Sequence, residues 1–61
     1  MSLIAQNRIN FIEQLHERFL MKKGHGAFAF ISLTDAVSLF DAYLDSGKTA
    51  DLYINQYVSS I

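Results

Sequence analysis

The stretch 24-GHGAFAFIS-32 decides how this chain folds. Two glycines flank a histidine, five apolar residues follow, and a serine closes the run. Four readings compete: a ligand-binding loop, a membrane-seeking segment, a short strand, or the joint between two helices. G-x-G alone lacks the third glycine and the preceding strand of a dinucleotide site, and one loop histidine is weak ground for a metal site. The run 27-AFAFI-31 falls far short of the roughly 20 apolar residues that cross a bilayer. As a strand it would set Phe28 and Phe30 against Ala27, Ala29 and Ile31, and would need a second strand to pair with. As a joint, Gly24 and Gly26 end one helix through positive φ, Ser32 caps the next, and both phenylalanines fold back over the core. We take the joint as the reading, with an α+β arrangement carrying a strand at 27–31 as its alternative.

The residues on either side support the joint. Proline is absent, and Gly24, Gly26 and Gly47 divide the chain into three segments, each with helical periodicity. At 100° per residue, Ile4, Ile9, Phe11, Ile12, Leu15, Phe19 and Leu20 share one half of the first segment, interrupted by Arg8. So wide an apolar face implies contact with two or more helices and a central position. Arg18, Lys22 and Lys23 crowd its last turn, where cations complement the helix dipole. In 32-SLTD-35, Ser32 and Asp35 form a variant capping box. Leu33, Ala36, Val37, Leu39, Phe40, Tyr43 and Leu44 then line one face. The third segment opens at Thr49 and aligns Ala50, Tyr53, Ile54, Tyr57, Val58 and Ile61. The expected helices run roughly 3–22, 32–46 and 49–60.

Sixty-one residues make a single domain, 1–61, close to the lower size at which a chain buries a core unaided. With no cysteine, neither disulfides nor thiolate metal sites can reinforce it. Hydrophobic residues make up 51% of the chain, including five phenylalanines and three tyrosines. That is more apolar surface than so small a core absorbs, and soluble monomers seldom leave large patches open. The expectation is therefore an all-α three-helix domain completed by dimerisation or by a protein partner. Phe28, Phe30, Tyr43, Tyr53 and Tyr57 are the candidate interface residues, because aromatic side chains dominate interface cores.

Other functions find less support. Net charge is −1, which is not the footprint of a general nucleic-acid binder. Charge is nevertheless uneven, with four basic residues against Glu13 and Glu17 up to residue 26, and Lys48 against Asp35, Asp41, Asp45 and Asp51 beyond it. Arg18, Lys22 and Lys23 form the one basic cluster a dimeric nucleic-acid-binding regulator could use, which is the alternative function. A helix-turn-helix over residues 39–58 would place Tyr43 where a small residue is needed, and its second helix offers few phosphate anchors. Glu13 and His16 spell E-x-x-H, yet the further glutamates of a di-iron bundle are missing. No nucleophile, base and orienting group stand out together. The chain is thus read as a non-enzymatic interaction module, an accessory, adaptor or inhibitor protein of the kind often encoded by phages and mobile elements. No catalytic residue, metal or cofactor is expected. Its N-terminus lacks the apolar core of a signal peptide, so a cytoplasmic location without membrane attachment is expected.

Overall fold

A computed structural model describes residues 2–61, and the chain is all-α. Helix α1 is Leu3–Lys23, α2 is Leu33–Ser46 and α3 is Ala50–Ser59, with a single 3-10 turn at Ala27–Ala29 between the first two. The three helix starts and the ends of α1 and α2 each have a local cause. Ser2, Ser32 and Thr49 each accept a hydrogen bond from a backbone N–H in the first turn, satisfying donors that a helix start leaves orphaned. At Ser32 the box is reciprocal, because the Asp35 carboxylate accepts from the Ser32 N–H at 3.2 Å while Ser32 Oγ accepts from the Asp35 N–H at 3.1 Å. Gly24 and Gly47 end α1 and α2 with φ of 79° and 72°, a conformation that costs other residues steric strain.

The strand at 27–31 does not form. Its hydrogen bonds close locally instead: the Ala29 N–H donates to the Gly26 carbonyl, and the Phe30 and Ile31 N–H groups both donate to that of Ala27. Backbone groups satisfied within one turn are not available for a ladder. Gly26 also departs from expectation. Its φ is −66°, so positive φ is not why a glycine stands there.

Helix α1 is the spine, touching α2, α3 and the 3-10 turn. Phe11 meets Phe40 and Tyr43, whereas Phe19 stacks on Phe30 just ahead of α2, so the first two helices are antiparallel. Phe11 meets Tyr53 and Phe19 meets Tyr57, so α3 returns parallel to α1. The core is one cluster of Phe11, Leu15, Phe19, Ala27, Ala36, Phe40, Ile54 and Val58. Burial of each large member contributes about 1.5–3 kcal/mol.

The apolar faces read from periodicity are broader than the core they enter. Ile4, Ile9 and Leu20 on α1, and Leu33 and Leu44 on α2, remain exposed. These helices meet their neighbours along a narrow line, so Ile9 and Leu20, at the edge of the α1 arc, lie beyond its reach, whereas Ile4 shares the direction of Phe11 and Leu15 but lies past the end of the core. Total accessible surface is 4006 Å², close to the ~4,000 Å² that a compact monomer of this mass presents. The apolar surplus thus shows in which residues face out rather than in the size of the surface.

Candidate functional site

The joint between α1 and α2 is where the exposed aromatic residues gather. The Gly24 N–H donates to the Leu20 carbonyl, turning the chain out of α1. Ala27 then inserts into the core and Phe30, three residues on and so on the same side of a 3-10 turn, comes to rest against the core's edge, while Phe28, a third of a turn round, leaves it. Phe30 lies flat on Phe19, ring centroids 5.1 Å apart, with one face covered and 42% of its surface still open. Phe28 sits 6.5 Å from the His16 ring and is 51% exposed. Around them, at the same end of the bundle, Leu20, Met21 and Leu33 are also exposed.

Gly26 explains how the turn fits against α1. A Cβ placed there would overlap the His16 imidazole, so the glycine makes room for a side chain from the helix it follows. His16 is thereby a packing element of the joint. The Glu13-x-x-His16 pattern gathers nothing further. Among the described residues, no three His, Cys, Asp or Glu side chains form a group that could hold a metal ion.

The chain matches no family model, no curated protein and no solved structure.

The three tyrosines are placed differently from the phenylalanines. Tyr43 stacks on Phe11 at 5.0 Å and leans on Tyr53 at 5.9 Å, and Tyr57 meets Phe19 edge-on at 6.3 Å. All three are half-buried and packed against the core cluster. Their rings belong to two clusters along α1, with Tyr43 and Tyr53 beside Phe11 and Phe40, and Tyr57 beside Phe19 and Phe30. Offset and edge-to-face pairs of this kind contribute about 0.5–1.5 kcal/mol each beyond area burial.

The basic cluster is tied down within the chain. Arg18 pairs with Asp51 at 2.6 Å, Lys22 Nζ donates to Ser59 Oγ at 3.0 Å, and Lys23 Nζ donates to the Ile61 main-chain oxygen at 2.6 Å. Three cations at the end of α1 thus fasten α3 alongside it. Their spacing in sequence suited a nucleic-acid patch, but only the fold could show what they bond to. Among the described residues, no helix is long and apolar enough to cross a membrane.

Proposed function

We propose that this chain is a non-enzymatic, cytoplasmic interaction module whose joint, led by Phe28 and Phe30, receives a protein partner. The observation that carries this reading is the exposure of two phenylalanines, 51% and 42%, on one turn, with Leu20, Met21 and Leu33 exposed around them. Phe30 is already held by Phe19, so its ring is oriented before a partner arrives, and Phe28 stands beside His16. A pre-oriented aromatic ring loses little entropy on binding, which is what makes such residues interface anchors. Lys22, Lys23 and His25 flank the same turn, and no acidic residue occurs between Glu17 and Asp35. The docking surface is therefore apolar at its centre and basic around it. The nucleic-acid regulator reading draws on the same cations, but Arg18, Lys22 and Lys23 each have an intramolecular partner that phosphate contact would have to displace.

The test is affinity capture from host extract with the wild-type chain and with Phe28→Ser/Phe30→Ser. Helical content and thermal midpoint, followed by circular dichroism, control for folding. A protein retained by the wild type and lost from the double variant is the expected outcome. Identical capture by two equally folded proteins removes the joint from consideration.

A further inference from the structure

The joint occupies one end of the bundle, and the opposite end carries a second unpartnered surface. From Phe11, which lies level with Phe40 and Tyr43, α1 continues eight residues back to Leu3, while α2 continues only three beyond Tyr43 to Ser46. At 1.5 Å per residue the first helix overhangs the second by about 7 Å. Along the core-facing line of α1, Phe11, Leu15 and Phe19 are buried, but on the overhang Ile4 is 67% exposed and Arg8 is open as well. The core line thus runs on past the end of the core.

Electrostatics shows what fits there. The first turn of α1 holds no acid, and Arg8 is the one charged side chain between residues 2 and 12. This is the positive end of a helix dipole carrying a further positive charge. The last turn of α2 is its complement, with Asp45, Asp41 one turn earlier, no basic residue, and Leu44 54% exposed. Among the described residues the sole ion pair is Arg18 with Asp51, so Arg8, Asp41 and Asp45 have no ionic partner there.

We propose that a second copy of this chain covers the overhang, the exposed Ile4 and Arg8 of each copy lying against Leu44, Asp41 and Asp45 of the other. Antiparallel packing puts the start of α1 and the end of α2 at the same end of one molecule, so a single two-fold rotation makes both contacts at once. An isologous contact of this kind closes at two copies and does not extend into filaments. The proposal is independent of the joint, which remains free at the far end of each copy.

Sedimentation velocity on the full untagged chain from micromolar to millimolar concentration tests it. The wild type is expected to dimerise, more weakly as salt is raised. Arg8→Glu and Asp41→Lys/Asp45→Lys should each weaken association at least tenfold, and their combination should restore it. Ile4→Ser should weaken it without restoring partner. All these positions are exposed, so circular dichroism is expected to report unchanged helices. Hydrogen exchange should show the amides of residues 5–9 gaining protection with concentration. A wild type that stays monomeric throughout overturns the proposal. So does a dimer indifferent to Arg8→Glu, or one dissolved by Phe28→Ser/Phe30→Ser instead. Loss of partner capture at the joint leaves this result untouched, so the two readings fail separately.

Discussion

Phe19 is buried completely and touches both Phe30 and Tyr57, so truncating it removes the contact that joins the turn to α3. Phe19→Ala should destabilise by about 3–5 kcal/mol, read from denaturant unfolding. The two glycines of the joint make a finer test, because they serve different ends. Gly24 has a positive φ and open space around it, so Gly24→Ala imposes backbone strain of about 1–2 kcal/mol that no other change can relieve. Gly26 has an ordinary φ but faces the His16 ring, so Gly26→Ala imposes a side-chain clash. His16→Ala should therefore rescue Gly26→Ala, with a coupling of about 1 kcal/mol, and should leave the cost of Gly24→Ala unchanged. Equal rescue of both would show that the glycines share one role. Composition marks both residues as turn formers; only the approach of a residue ten positions away separates them.

For the elements, periodicity and end signals carried most of the information. The Ser32 box, the Thr49 cap and the Gly24 stop are local chemistry, readable within four residues, and each is present. Ser32→Ala should cost about 1 kcal/mol, lowering the thermal midpoint by about 4–8 °C in a domain this small. The outer limits of each apolar face were not legible, because an arc on a helix does not record how many neighbours will meet it. Length carries part of that signal: expected helices of unequal span imply an overhang wherever two of them pack side by side. Native-state hydrogen exchange in dilute solution should find the middle of α1 most protected and residues 5–9 the least protected helical amides. Uniform protection along α1 would contradict the overhang.

At the scale of the molecule, three helices joined by short turns in an up-down-up order make most contacts local. Refolding should be complete within milliseconds, with a single exponential phase in stopped-flow or temperature-jump records. The strand alternative carried the opposite expectation of slower, non-local pairing. The all-α class and the central place of α1 were legible because three glycine-bounded segments all showed helical spacing. The division of labour among the aromatics was not legible. Phe28 and Phe30 face out while Tyr43, Tyr53 and Tyr57 lean inward, a reversal of what side-chain polarity alone suggests, decided by which elements a turn can hold against a helix.

The spine has one more consequence, and it concerns sequence drift. Phe11 meets residues from both other helices, and Phe19 meets the turn and α3. A change at either position must be answered in two places together, whereas on α2 and α3 most core positions face α1 alone, Tyr43 and Tyr53, which also meet each other, being the exceptions. Variation should therefore accumulate freely on two helices and stall on the third. A library randomised one helix at a time and sorted for folded protein would show far fewer survivors from α1 than from α2 or α3.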